Sequence, residues 1–364
     1  MENKVTNNNI QALRALAILL VIIQYLHRLP IPEWLMSTYS QYSYWTGVDI
    51  FFAISGFLMC KSLSSEIQKN GRSIKAFSSF FLKRLFRLTP ALVFWCIVCL
   101  VIASAITPFW GVSPSKSIDT MLYSIPGISN FYFFNETVNG TPYDPLLSVT
   151  WSLSLEWQLY LILAILALST KGITFRSSLI VLIVLSSVLL PNGINHQETL
   201  GWWIRPQAFF LGAIIFLFNG KLKELSLSSP LTLIAFSLTI YSLVYFTSSI
   251  NPQYKLFFIG FLGAVSFALM AVCLPAFSFK ILNWIGDRSY SIYLCHIPVM
   301  VLTRYLMDKA LANTPLLHNS SIYIAVFVAI VALLSNFSYK YIERPLINFH
   351  RKRLTETTSI RSRT

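Results

Sequence analysis

Eight residues able to move protons or hold anions stand within or at the ends of apolar stretches, where an ionisable group is costly unless it faces protein or water. They are Arg14 and His27 in LRALAILLVIIQYLHR, Asp49 in GVDIFFAISGFLM, Arg84 and Arg87 in RLFRLTP, Glu156 in SVTWSLSLEWQLYL, Arg205 in GWWIRPQAFFLGA and His296 in GDRSYSIYLCHIPV. A histidine beside a carboxylate suits general acid–base work. Two arginines at i, i+3 share one helical face and suit a phosphorylated ligand, because each guanidinium grips phosphate bidentately. Asp49 needs a partner, and His27 is the nearest by depth. Arg205 is placed to pair with Glu156 or Asp49. Glu156, flanked by Trp151 and Trp157, cannot easily reach water.

Each stretch also has a plainer use. Arg14 can snorkel to headgroups and His27 can sit at an interface. Ser55 and Gly56 can serve close helix packing alone. Arg84 and Arg87 can be ordinary basic charge beside a span. Arg205 can belong to an aromatic belt, and His296 can be a packing histidine. Several buried ionisable groups in one bundle favour a site over independent accidents.

The elements that must position these residues are membrane helices. The chain has 364 residues, 55% hydrophobic and 12% charged, about half the charge of an ordinary soluble domain. Its mean hydropathy is +0.62. Apolar runs of roughly 17–25 residues recur, without the alternation of a membrane β-barrel. The expected fold class is all-α: a polytopic membrane helical bundle of about ten transmembrane helices with no soluble domain. The predicted spans are 10–28, 43–62, 88–107, 147–169, 177–191, 202–219, 229–249, 254–275, 289–308 and 320–342. No cleavable signal peptide is expected, since the first apolar segment runs into Arg28 and Pro30.

The net charge of +14 marks topology and not nucleic acid. With a cytoplasmic N-terminus, 22 of the 28 Lys and Arg residues fall on the cytoplasmic side. Both termini are therefore expected in the cytoplasm, with membrane lipids as partners of the basic face. Residues 108–146, rich in Pro, Gly and aromatics, are read as an ordered outer cap. YIERPL, with Glu343 and Arg344, reads as a helix stop with a local ion pair. The five cysteines (Cys60, Cys96, Cys99, Cys273, Cys295) all fall in predicted spans and read as small hydrophobes. No metal-ligand spacing appears, so no metal is expected.

The ordered set LRALAILLV, GVDIFFAISGFLM, FLKRLFRLTP, WSLSLEWQLYL, RSYSIYLCHIPV and YIERPL resembles acyltransferase family 3, the integral-membrane O-acyltransferases of bacterial surface polysaccharides. It spans residues 11–346, nearly the whole chain. The resemblance implies a transmembrane acyltransferase domain over 1–346, followed at 347–364 by a basic, disordered cytoplasmic tail. It implies a cytoplasmic (inner) membrane location and acyl-CoA, usually acetyl-CoA, as co-substrate. The implied acceptor is an outer-side hydroxyl on a polysaccharide or lipid-linked glycan. By position, Arg14, Arg84 and Arg87 look like the donor-associated arginines, and Glu156 and His296 match recurring motif residues. Trp151 and Arg205 are assigned to substrate binding.

One departure stands out. The family's first helix usually places a histidine where this chain has Tyr25, and His27 comes two residues later. Two residues turn a helix by about 200°, nearly to the opposite face. Either the helix is irregular and His27 turns inward, or His296 replaces it. Tyr25 is a poor base, with an ordinary pKa of about 10. Some members carry an extracytoplasmic hydrolase-like domain after the spans, and here a short tail is expected instead.

The expected chemistry is acyl transfer from a thioester to a sugar hydroxyl. A histidine, oriented by Asp49 or Glu156, deprotonates the acceptor for direct attack, or an acyl-histidine forms. Arginine, tyrosine or tryptophan donors serve the oxyanion, with no choice among them from sequence. The rivals are a transporter or flippase of a polar or lipid-linked substrate, a catalytically silent homologue, and an enzyme with a non-polysaccharide acceptor.

Overall fold

The computed structural model describes residues 2–190, 196–224, 228–245, 250–275, 277–311 and 319–349. Those residues are all helix and connection. In chain order the α-helices are α1 (Glu2–Tyr25), α2 (Glu33–Thr38), α3 (Gly47–Asn70), α4 (Ile74–Ile106), α5 (Pro114–Ser124) and α6 (Ser129–Val138). Then come α7 (Thr150–Ser169), α8 (Gly172–Leu189), α9 (Leu200–Trp203), α10 (Gln207–Leu217), α11 (Asn219–Glu224) and α12 (Ser229–Tyr245). The last are α13 (Pro252–Ala268), α14 (Lys280–Asp287), α15 (Ser289–Ala310) and α16 (Ser320–Ser338).

Among the described residues, seven helical segments are long and apolar enough to cross a membrane: Asn8–Arg28, Tyr44–Asn70, Ile74–Ile106, Thr150–Ser169, Gly172–Leu189, Tyr254–Cys273 and Ser320–Phe349. The protein is thus a membrane-spanning helical bundle, with fewer clear spans than the ten expected. Two of the shortfalls, α10 and α12, are apolar but short. Eleven residues of α10 reach only about 16 Å of a hydrocarbon layer about 30 Å thick. The third, α15, has the length but carries Ser289, Ser291, His296, Arg304 and Asp308. It spends its polar groups on protein neighbours, so hydropathy alone does not single it out.

α3 runs through the middle, packed by α1, α4, α7, α10 and α13. Its crossing with α10 is close because both helices offer glycine at the contact. A Cβ at Gly56 would lie 1.8 Å from the Phe209 carbonyl oxygen, and one at Gly212 would lie 2.1 Å from that of Ala53. Small residues let helix backbones touch where lipid supplies no hydrophobic drive between helices. The opposite extreme is α8, whose Ile180, Val181, Val184, Leu185, Val188 and Leu189 are exposed and form a lipid face.

Two ends can be told apart. At the basic end, Gly71 (φ +66°) stops α3 and the Ser73 hydroxyl caps α4 by accepting the Ala76 N–H. There Lys83 pairs with Glu66, and Arg72 donates to the carbonyls of Ala167 and Thr170. α4 starts well before the span expected at 88–107 and continues through Pro90, so Arg84 and Arg87 lie inside a helix. At the cap end, α5 and α6 form the ordered cover expected of residues 108–146. The five cysteines are free thiols, four of them buried.

Two details of the C-terminal segment differ from expectation. Glu343 ends a five-residue π-helix (Tyr339–Glu343), is buried, and accepts from the Ser291 hydroxyl of α15. The wider π turn rolls it inward, away from a local pair with Arg344. Helix continues to Phe349, beyond the tail boundary expected at 347, while the rest of that tail lies outside the described residues.

Candidate active site

The expected site residues other than His27 fall into two groups joined by one face of α15. The first lines a cavity of about 100 Å³ opening among α1, α3, α4, α7 and α15. Arg14, Arg84, Arg87 and Glu156 all border it, with Ser55, Ser152, Tyr160, Tyr290 and Tyr293. Arg84 Nη1 donates to the Phe80 carbonyl at 3.1 Å, and its guanidinium lies over the Phe80 ring at 4.4 Å. Tyr160 donates to Glu156 Oε2 at 2.5 Å, and the Ser55 and Tyr160 hydroxyls lie 2.9 Å apart. Glu156 is also within electrostatic reach of Arg14 and Arg87. Cation and anion thus share one channel wall, where each offsets part of the other's burial.

Tyr293 is the residue of α15 nearest the cap that lines this cavity. Its hydroxyl lies 2.7 Å from Ser152 Oγ and donates to the Val149 carbonyl at 3.1 Å. One turn further along the same face of α15, about 4.5 Å in rise, stands His296. Its ring centre is 5.7 Å from that of Tyr293 and 5.5 Å from that of Tyr25. The side chain is fully buried. Nδ1 sits 2.8 Å from the Tyr293 carbonyl oxygen and 3.2 Å from that of Ile292. A carbonyl only accepts, so Nδ1 carries the proton and Nε2 carries the lone pair. That Nε2 has no hydrogen-bond partner among the described residues.

The second group surrounds Arg205, in the non-helical step between α9 and α10. Its Nε lies 3.6 Å from Asp49 Oδ1, and both side chains are almost completely buried. Trp45, Trp151 and Trp202 enclose the guanidinium at 4.8, 4.8 and 4.4 Å from ring centre to Cζ. Trp151 is thus one wall of an aromatic cage around Arg205. Asp49 has the partner it requires, and that partner is Arg205, not His27; Glu156 bonds to Tyr160 instead.

His27 stands apart from both groups. Pro30 forces Leu29 extended, and α1 tightens before it into a 3₁₀ turn, Leu26–Arg28. Tyr25 points inward at His296, while His27 is exposed, with Nδ1 2.8 Å from the Gln24 carbonyl and its ring edge-on to Tyr39 at 5.6 Å. The irregular turn exists, but it turns the imidazole outward. Arg28, next to it, donates to the Pro145 carbonyl at 3.0 Å and covers Tyr25.

Sequence reasoning overlooked Tyr160 and Tyr293. Tyr160 stands four residues after Glu156, and Tyr293 three before His296, so helical spacing from the two chosen residues was the available signal.

The profile of a family described as an acyltransferase domain matches residues 7–337. The chain belongs to that family, acyltransferase family 3. Among curated proteins, it is 30% identical over 371 residues to the peptidoglycan O-acetyltransferase OatA of Listeria monocytogenes serovar 1/2a, covering 93% of this chain and 55% of that one. It is 28% identical to the putative peptidoglycan O-acetyltransferase YrhL of Bacillus subtilis strain 168, over 87% of this chain and 54% of the relative. A putative O-acetyltransferase of Staphylococcus aureus strain COL is 27% identical over 92% of this chain and 56% of its own length. The chain spans about half the length of these relatives. No solved structure matches it. In this member of acyltransferase family 3, Tyr25 of α1 stands against the buried His296 of α15.

Proposed function

We propose that this protein is an O-acetyltransferase of the bacterial cytoplasmic membrane. It takes the acetyl group from acetyl-CoA at the basic end and delivers it to a hydroxyl of a cell-surface polysaccharide of the peptidoglycan class at the cap end. The names of the relatives support the acetyl group and the acceptor class. The bias of 22 among 28 basic residues supports a cytoplasmic basic end with both termini inside.

The donor's phosphates suit Arg84, Arg87 and Arg14 at the mouth, since guanidiniums bind phosphate in bidentate fashion. A cavity of about 100 Å³ admits a narrow extended arm and leaves the nucleotide outside. Glu156, held by Tyr160, accepts amide N–H groups of that arm. The single observation that carries the reading is His296, buried, with Nε2 unprotonated and unengaged. Nε2 takes the proton of the acceptor hydroxyl as its oxygen attacks the thioester carbonyl. The tetrahedral species collapses, the C–S bond breaks, and the thiolate recovers the proton from His296. Direct transfer needs only this one nitrogen.

The test is transfer of labelled acetyl from acetyl-CoA to a soluble peptidoglycan oligosaccharide by the purified full chain. His296→Gln lowers kcat by about 10²–10⁴-fold, the usual share of a general base. His27→Gln and Tyr25→Phe stay within a few-fold of wild type. Full activity in His296→Gln rejects this base. Movement of glycan without donor consumption marks a transporter instead.

A further inference from the structure

Arg205 is an anomaly for a structural ion pair. A buried guanidinium is normally held by two parallel N–H···O bonds to its carboxylate, because an unpaired buried charge is strongly destabilising. Here Nε approaches Asp49 only to 3.6 Å, and among the described residues none of Nε, Nη1 and Nη2 makes a hydrogen bond. Asp49 Oδ2 is likewise unengaged. Three tryptophan rings surround the group without using its donors. The backbone beneath it is the break between α9 and α10, and non-helical backbone at membrane depth is tolerated where protein or a cavity surrounds it.

The position of Arg205 matters as much as its unused donors. Tyr25 and Tyr293, whose rings border His296, both lie within electrostatic reach of Arg205. Val48 and Ser152, chain neighbours of Asp49 and Trp151, line the cap end of the donor cavity. The guanidinium therefore lies toward the cap side of the cavity, the side on which the base stands. Its charge is already balanced by Asp49, so the pair as a whole is neutral. Such a pair holds a permanent anion weakly but can serve an oxygen that becomes negative only during reaction, with donors fixed in advance.

We propose that Arg205 is the oxyanion donor of the transfer reaction, with Asp49 as the positioning residue that keeps its charge tolerable in the free protein. The proposal rests on the acyltransferase reading above. As the acceptor oxygen bonds to the thioester carbon, the carbonyl π pair moves onto its oxygen, and the N–H groups of Arg205 receive that charge. Collapse returns the pair to the carbonyl and expels the thiolate, which takes the proton held on His296. No further reactant is needed.

The decisive experiment compares the wild-type full chain with Arg205→Gln and with the double variant Asp49→Asn/Arg205→Gln, which removes both buried charges together and so avoids leaving either unpaired. Each is assayed for kcat and KM with acetyl-CoA. Each is also titrated with CoA and with a trifluoromethyl ketone analogue of acetyl-CoA, whose hydrate imitates the tetrahedral species. In both variants, kcat falls about 10²–10³-fold, KM for the donor changes little, and the analogue loses affinity by a similar factor while CoA keeps its own. Equal losses for CoA and the analogue assign Arg205 to packing and overturn the proposal. So does a double variant that transfers acetyl at the wild-type rate. If Arg205→Gln does not fold, the double variant alone decides. Absence of donor-dependent transfer by wild type overturns the functional reading itself, whereas active wild type with unimpaired variants overturns only the oxyanion role.

Discussion

His296 and His27 are separated by what their nitrogens meet. The first has one nitrogen committed to backbone carbonyls and the other buried and unengaged; the second lies on an exposed 3₁₀ turn. Burial without satisfaction is the informative state for a polar atom, since it is costly in a fold that gains nothing from it. A residue outside the spans shows the same strain in measurable form. Asp144, in the segment entering α7, accepts the Leu146 N–H at 2.9 Å, yet is fully buried. Burial pushes its carboxyl up to about 6, against a pull downward from that N–H. The folded state therefore binds the proton more tightly than the unfolded chain. Its stabilising effect is complete below about pH 4 and is lost as pH rises through about 6, a change of about 2–3 kcal/mol. Asp144→Asn keeps an oxygen for Leu146 and removes the charge. We expect its melting temperature in detergent to exceed wild type at pH 8 and to match it at about pH 3.5, below the unfolded carboxyl's range; equal shifts at both pH values would count against a buried titrating carboxyl.

Among the elements, the α3–α10 crossing holds Asp49 beneath Arg205. Both glycines at that crossing leave no room for a side chain, so Gly56→Ala must separate the helices or distort α10. The expected loss is about 1–3 kcal/mol, the usual result of overpacking, together with lower acetyl transfer as the Arg205–Asp49 geometry is disturbed. Gly220→Ala on α11 serves as the control, because nothing lies within 4 Å of its added Cβ. Thermal unfolding of both variants checks this, and equal stability of the two rules the crossing out as a tight contact. α15 is the other organising element. Tyr290, Tyr293 and His296 recur at three-residue spacing, so a single helix face links the arginine-lined mouth to the buried base.

Across the whole molecule, the reading of function requires the arginine mouth to face the cytoplasm and the cap to face outward. Substituted cysteines test this directly, since four of the five native thiols are buried. Ser115→Cys, at the start of α5, should react with a membrane-impermeant maleimide in intact cells. Lys75→Cys, at the start of α4, should react only after permeabilisation. The reverse pattern inverts the topology and places the donor cavity on the wrong side of the membrane for cytoplasmic acetyl-CoA.

The sequence by itself determined the membrane-helical class, because long apolar runs with few charges have no other stable arrangement in lipid. It also singled out Arg14, Arg84, Arg87 and Glu156, which all border one cavity, since ionisable residues in apolar runs must face protein. A helix occupies each of the predicted spans, although α4 begins earlier than expected and seven of the ten meet the length and apolarity of a clear span. Pairing was beyond its reach. Whether Asp49 meets His27 or Arg205 depends on a 3₁₀ turn that rotates one side chain out and a glycine crossing that brings another in. Local propensity does not encode either distance. Only the packed bundle decided which histidine keeps its lone pair buried and which arginine keeps its donors unspent, because both properties belong to the neighbours a side chain meets and not to the residue itself.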